Sequence, residues 1–421
     1  MPDTLIEKAL AEASSTPEVR PGDIVVAQVD VGVLIDLQFV PEHRLADVVE
    51  VADADRIAIV MDHAVPAPSI RDAQCGQGAR AFAQKHGVTK FFDIGRHGIV
   101  HQVLAEQGLA RPGEVITCSD SHTCAAGAFG AAARGLGPVE MLSIVCTGAT
   151  WYEVPPTVRY DLEGTKHPLI NGKDVFLHIA GRYGDATGHA VEFGGPGLDT
   201  VPMSDQRTIA TQGAEIGAEF TMFPADRICL DFLAQVAPDC EVGEFHPDPD
   251  ATYAARRHLD LADVPPMVAL PGTVINNAGP VSDVVGTRID QAFIGSCANG
   301  QLADLQTAAR ILKGHQVAAS TRLIVTPASQ QVYAQASRLG YLADLVEAGA
   351  TVTNPTCGAC FGYHMGVLAP GEVCLTASTR NFKGRMGSSE ASVYMASPAT
   401  VAASAIRGVI SDVRELEEIT S

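Results

Sequence analysis

Short apolar runs recurring between helix-like stretches constrain this chain more than any other feature. DIVVAQVDVGV near residue 23, DRIAIVMDHAV near 55 and TRLIVTP near 321 alternate or run apolar as strands do. Between them, IRDAQCGQGARAFAQKHG (70–87) and ADLQTAARILKGH (303–315) carry helical patterns. Strands that alternate with helices pair in parallel, because a crossover long enough to hold a helix returns the chain to the same end of the sheet. The expected class is therefore α/β. A chain of 421 residues exceeds one ordinary core, so two or three domains are expected. Gly- and Pro-rich passages break the rhythm at GHAVEFGGPGLDTVP (188–202) and HPDPDATYAARRHLDLADVPP (246–266), and the second reads as a boundary or linker. Boundaries near 155 and 285 divide the chain into 1–155, 156–285 and 286–421. The sequence holds no internal repeat and no low-complexity tract.

The formal net charge of −20 argues against nucleic acid, because phosphate binding needs a basic face. An acidic chain can still bind a dicarboxylate, provided Arg or Lys is concentrated locally. The opening MPDTLIEKALAEASS reads as a short amphipathic helix without the apolar core of a signal peptide. No stretch approaches eighteen apolar residues, so a membrane span is not expected and the chain reads as cytoplasmic. The ten cysteines are accordingly expected as thiols, most of them small buried hydrophobes and a minority ligands.

Three cysteines stand apart by spacing. Cys297 lies in FIGSCANGQ, and Cys357 and Cys360 form a CxxC in NPTCGACFG. Each follows an apolar, strand-like stretch, so the thiols can converge at the carboxyl edge of one sheet, where open α/β folds bind ligands. Three thiolates without an obvious fourth suit a [4Fe–4S] cluster with one open iron, which acts as a Lewis acid on a hydroxyl and a carboxylate. A zinc site completed by His364, or a redox pair, fits the same spacing. Spacing alone leaves these open.

The surrounding text narrows the choice. GSCANGQLADL, NPTCGACFGYHMG and STRNFKGRMGS resemble the cluster-domain signatures of aconitases and isopropylmalate dehydratase large subunits. MDHAVPA, GIVHQ, SDSHT followed by GAFG, and QGAEIGA are similar to that family's other active-site segments, in the family's order, so the resemblance spans roughly residues 50–400. It implies three α/β/α domains around a [4Fe–4S] cluster held by Cys297, Cys357 and Cys360. It also implies a fourth, mobile domain. Because the sequence stops at Ser421, that domain is expected on a separate small subunit, which supplies the serine base.

The resemblance further implies roles for the polar residues. Asp62 matches a carboxylate that orients an imidazole, and His63 the acid that protonates the leaving hydroxyl. His101 and Asp120 match a second His–carboxylate pair, His122 a group beside the open iron, and Glu215 a carboxylate near its water. Arg380 and Arg385 match arginines that grip substrate carboxylates, a task suited to a bidentate guanidinium. The implied activity is a hydro-lyase acting on a small 2-hydroxy dicarboxylic acid, most like 3-isopropylmalate dehydratase.

Several positions depart from the family text. Thr379 and Thr211 stand where relatives carry Asn, Ala126 where isopropylmalate dehydratases carry His, and Ala298 and Gln301 alter the run after the first cysteine. These changes keep 2-methylmalate (citraconate), maleate, 2,3-dimethylmalate and homoaconitate chemistry open beside isopropylmalate. Readings from other classes are an electron carrier, an RNA regulator of the kind known for a cluster-free aconitase relative, and a zinc-stabilised scaffold. The His–carboxylate pairs and arginines favour substrate chemistry over the first, and the charge of −20 weighs against the second.

Overall fold

The computed structural model describes residues 2–415. They form two compact units, one of the residues up to 163 with 186–259 and the other of 164–185 with the residues from 260 on. Among the described residues no helix is long and apolar enough to cross a membrane.

The first unit is built on a five-stranded sheet of Val31–Ile35 (β1), Ile57–Val60 (β2), Lys90–Phe92 (β3), Val115–Cys118 (β4) and Ala132–Gly135 (β5). All neighbours are parallel, in the order β3-β2-β1-β4-β5. β1, β2 and β4 are buried at every position, as strands covered on both faces must be. The helix Ile70–His86 crosses from β2 to β3. Ser69 caps its first turn by accepting from the Asp72 N–H at 3.2 Å, and Gly87 ends it in the left-handed conformation at φ 72°. The run near residue 23 is two strands rather than one. Ile24–Gln28 pairs antiparallel with Ala149–Glu153, and β1 begins after a break at Val29–Asp30. Asp30 fixes that break, since its carboxylate accepts from the Val115 N–H at 2.9 Å.

A second sheet takes the order Phe220–Met222, Ala190–Gly194, Thr157–Glu163, Ala255–Asp260. The segment 246–266 is therefore not a featureless linker. Its ARRHLD run alternates exposed and less exposed side chains, and that half-buried pattern makes it an outer strand.

The second unit carries a seven-stranded sheet whose parallel part comprises Gln291–Ile294 (β6), Arg322–Val325 (β7), Thr351–Val352 (β8), Val373–Thr376 (β9) and Ser392–Ala396 (β10). The order is β10-β9-β6-β7-β8, so the chain winds outward from β6 to one side and then returns to the other. The first unit winds identically from β1. This shared topology is absent from the sequence as a repeat, because winding order constrains only which runs are apolar. Its core joins β6, β7 and β9 to the helices Leu302–Leu312 and Pro398–Arg407, through residues such as Leu305, Leu312, Leu323 and Val401. In both sheets the carboxyl ends of the first and fourth strands form a topological switch point, where open α/β sheets leave a crevice.

Candidate active site

In the first unit the polar residues singled out by sequence gather at that switch point. Asp62 and His63 follow β2, Asp120 and His122 follow β4, and His101 lies in the first turn of the helix Val100–Glu106. Asp120 is the hub. Its Oδ1 lies 2.8 Å from His101 Nε2 and accepts from the His122 backbone N–H at 2.8 Å, while Oδ2 is 3.6 Å from His63 Nε2. His122 continues the row, with Nε2 3.0 Å from Glu215 Oε1. Imidazole and carboxylate thus alternate over four side chains, His101–Asp120–His122–Glu215, with His63 joining at Asp120. The imidazoles are buried to within 2–7% of their side-chain surface, whereas Asp120 and Glu215 keep 16% and 13% exposed. The carboxylates are the part of the row that solvent or a ligand can reach.

The backbone delivers this geometry through two close approaches. A Cβ on Gly127, in GAFG, would lie 1.8 Å from the Thr221 carbonyl oxygen, and one on Gly135 2.3 Å from the Asp120 carbonyl oxygen. Glycine lets the segment after SDSHT and the end of β5 press against their neighbours, which holds the Asp120 turn from below.

Burial and hydrogen bonding divide the protonation states. Burial alone would raise the Asp120 carboxyl, but the His101 and His122 bonds outweigh it and hold Asp120 well below the usual carboxylate range. Burial would likewise lower His122, yet Asp120 and Glu215 together raise it. For His101 burial prevails and lowers it, despite the Asp120 bond. Asp62 is pushed up to about 7 by burial, partly offset by His63. The row therefore disfavours the proton at His101, favours it at His122, and places at Asp62 a carboxyl able to exchange its proton near neutral pH.

Sequence reasoning missed Asp36. This buried carboxylate at the end of β1 accepts the backbone N–H of His63 at 3.0 Å and of Ala64 at 2.7 Å, and lies 4.0 Å from His63 Nδ1. It clamps the turn that carries the Asp62–His63 pair, while Asp62 accepts from the Val100 N–H at 2.9 Å and ties that turn to the His101 helix. A carboxylate directly after a strand leaves no motif in the sequence. The parallel register of Ile35 opposite Val60 is what brings Asp36 beside the end of β2.

Thr211 does not imitate the asparagine it replaces. Its hydroxyl donates back to the Arg207 carbonyl at 2.6 Å within the helix Met203–Gln212, so its single proton is used inside the helix and only acceptor capacity is left. Ala126 is buried in the turn Thr123–Phe129. Cys118 and Cys124 are buried thiols whose pKa rises through burial, Cys124 to about 12, which suits packing residues.

In the second unit Cys297 follows β6, Cys357 and Cys360 follow β8, and Arg380 follows β9. All three loops leave the carboxyl edge of one parallel sheet; for the two that carry the cysteines, the apolar stretches before them pointed there. The cysteines are buried and unbridged. Gly295 and Gly300 bracket the Cys297 turn, where added Cβ atoms would meet Thr326 and Ser296 backbone oxygens at about 3 Å. The CxxC loop packs on the arginine segment. Cys360 Sγ is 3.8 Å from Thr379 Oγ1, a Cβ on Gly362 would lie 2.4 Å from the Arg385 carbonyl, and the Arg385 guanidinium covers the Phe361 ring at 5.4 Å. Arg380 and Arg385 are half-buried. Thr379 thus replaces the family's asparagine with a hydroxyl beside a thiol.

Residues 44–408 match the aconitase family (aconitate hydratase). The chain is 59% identical over 416 residues to the 3-isopropylmalate dehydratase large subunit of Mycolicibacterium smegmatis, covering 98% of this chain and 97% of that one. It is 43% identical to 3-isopropylmalate dehydratase large subunit 1 of Methanopyrus kandleri, covering 98% and 99%. A Methanothermobacter thermautotrophicus protein named "probable methanogen homoaconitase large subunit" is 42% identical, covering 97% and 96%. With the family matched over most of its length and the named relatives covered almost end to end, the chain belongs to the aconitase family.

Proposed function

We propose that this chain is the large, catalytic subunit of a [4Fe–4S]-dependent hydro-lyase that hydrates, dehydrates or isomerises a small 2-hydroxy dicarboxylic acid, most like 3-isopropylmalate dehydratase. The observation that carries the reading is the row His101–Asp120–His122–Glu215 with His63 at its hub. The identity of 59% to a 3-isopropylmalate dehydratase large subunit supports the same reaction class. A homoaconitase role is the second reading, supported by the methanogen relative.

Family membership implies an iron–sulfur cluster, and the residues of the second unit fit one. Cys297, Cys357 and Cys360 are three buried, unbridged soft donors on glycine-bearing turns, the donor set expected of a cluster with one iron left open. When bound, such a cluster supplies a Lewis acid for a substrate hydroxyl and carboxylate. Arg380 and Arg385 bind the carboxylates and orient the substrate. His63 donates a proton to the leaving hydroxyl, steadied by Asp62 and Asp120. His122, its protonated form favoured by Asp120 and Glu215, and His101, its neutral form favoured by burial, hold the polar side of the site. The large-subunit names of the relatives suggest a separate small subunit, and the serine base and the rest of the pocket are assigned to it. The division near 155 and 285 into three α/β domains is part of the same reading; the five-stranded sheet within 31–135 and the four-stranded sheet within 157–260 fall on either side of 155, whereas the seven-stranded sheet already begins at Met267, before 285.

The test is anaerobic reconstitution of the wild type and Cys297→Ser with iron and sulfide. About four irons and four sulfides per wild-type chain, lost in the variant, are expected. Activity is then assayed with the small subunit on isopropylmalate, homoaconitate, 2-methylmalate, maleate and 2,3-dimethylmalate. Zinc in place of iron and sulfide would overturn the mechanism.

A further inference from the structure

Lys173 is the one lysine among the largest fully buried side chains of the described residues, at 0% exposure. It occupies the second position of the helix Gly172–Tyr183, in the second unit. Its Nζ donates to the backbone carbonyl of Ser378 at 2.8 Å and lies 3.9 Å from Met395 Sδ.

The position is unfavourable twice over. Removing an ammonium from water carries a large desolvation cost, and an apolar side chain of similar volume is commonly as stable or more so. The first turn of a helix is also its positive end, which repels a cation. The adjacent Asp174 directs its oxygens to backbone N–H groups, accepting from Asn171 at 3.1 Å and from Met267 at 2.9 Å.

The ammonium does hold one end of the segment that leaves β9. Ser378, whose carbonyl it grips, is followed by Thr379, which faces the Cys360 thiol, and then by Arg380. At the far end Asn381 donates from Nδ2 to the Leu270 carbonyl at 2.6 Å, and its own carbonyl accepts from the Gly272 N–H at 3.1 Å. Arg380 therefore lies between two held residues, Ser378 at the Lys173 amino group and Asn381 at Leu270 and Gly272. A charged donor orients a carbonyl more firmly than a neutral one. We propose that Lys173 is a positioning residue for the substrate-carboxylate arginine: it sets the peptide at Ser378 and so the direction in which Thr379 and Arg380 leave the sheet. The proposal rests on the substrate role given to Arg380 above.

Lys173→Met removes the charge while keeping an unbranched side chain beside Met395. The expected result is an unchanged or raised melting temperature, with the amides of residues 377–381 exchanging with solvent roughly ten-fold faster and the core of the second unit unaffected. In the assembled enzyme KM for the dicarboxylate rises by roughly ten-fold while kcat stays within about two-fold, the pattern of a misdirected binding group. Lys173→Gln, which keeps a neutral donor, is expected to fall between the two. If both variants melt well below the wild type, or fail to fold, and exchange at 377–381 rises no more than elsewhere, the lysine serves stability alone and the proposal is overturned. Unchanged exchange and unchanged KM in a well-folded Met variant overturn it equally. If the wild-type assembly turns over no dicarboxylate, the functional reading fails, and the exchange data still decide whether Lys173 orders this segment.

Discussion

Replacing Asp120 by asparagine isolates what the hub charge contributes. The substitution keeps an acceptor oxygen in place and changes almost no volume. Two bonds to that oxygen, from His101 Nε2 and the His122 N–H, both at 2.8 Å, pass from charge-assisted to neutral. Charge roughly doubles the strength of such a bond, so each loses about 1 kcal/mol and the pair roughly 2 kcal/mol. In a unit of this size that is a fall of about 4–8 °C in melting temperature.

The pH dependence is more diagnostic than the size. The folded pKa of His122 is raised, against the cost of burial, by Asp120 and Glu215. Its stabilisation is therefore full below the unfolded histidine value, about 6.5, and is lost as pH rises through the folded value. The folded pKa of Asp120 is depressed, so its stabilisation is present above about 3.9 and lost only as pH falls towards the folded value. The gap between wild type and Asp120→Asn should thus be larger at pH 5.5 than at pH 9. Scanning calorimetry of both chains across that range measures it. A gap that is flat or grows with pH, or a variant more stable than wild type at pH 5.5, would refute the reasoning that an ionised Asp120 raises His122.

Two further substitutions probe the frame around the site. Gly127→Ala forces a methyl group to within 1.8 Å of a backbone oxygen that no side-chain rotation can clear, so a loss of about 3 kcal/mol is expected in denaturant titration; a loss below 1 kcal/mol would mean that the strand bearing Thr221 shifts freely. Glu192→Ala removes a buried carboxylate that accepts from the Leu5 N–H at 2.8 Å and the Tyr253 hydroxyl at 2.6 Å and is paired with Arg159. About 3–5 kcal/mol should be lost, most of it recovered by a compensating Arg159→Met, and failure of that recovery would show the ion pair is not the cause.

Much of the chemistry was legible in the sequence because the residues that carry it sit within three to five positions of one another. SDSHT contains both Asp120 and His122, and NPTCGACFG contains two of the three thiols. Some parallel strands were legible as well, since burial on both faces makes β2 and β7 largely apolar runs, whereas β4, with Thr117 inside it, gave no such signal. Helix limits followed from local capping at Ser69 and Gly87. These signals are encoded by neighbours along the chain.

Tertiary structure alone decided what depends on distant partners. Asp36 reaches the N–H groups of His63 and Ala64, 27 and 28 residues away, because parallel pairing aligns the ends of β1 and β2. Lys173 meets Ser378 across 205 residues. Nothing adjacent to either residue marks it, for a lone Asp or Lys in sequence reads as solvated surface. The split of the first apolar run was hidden too, because Asp30 breaks it by bonding to Val115, 85 residues on. The sequence determined which side chains could do the chemistry. The winding of the sheets decided which of them meet, since a parallel sheet brings the ends of strands together whatever the length of chain between them.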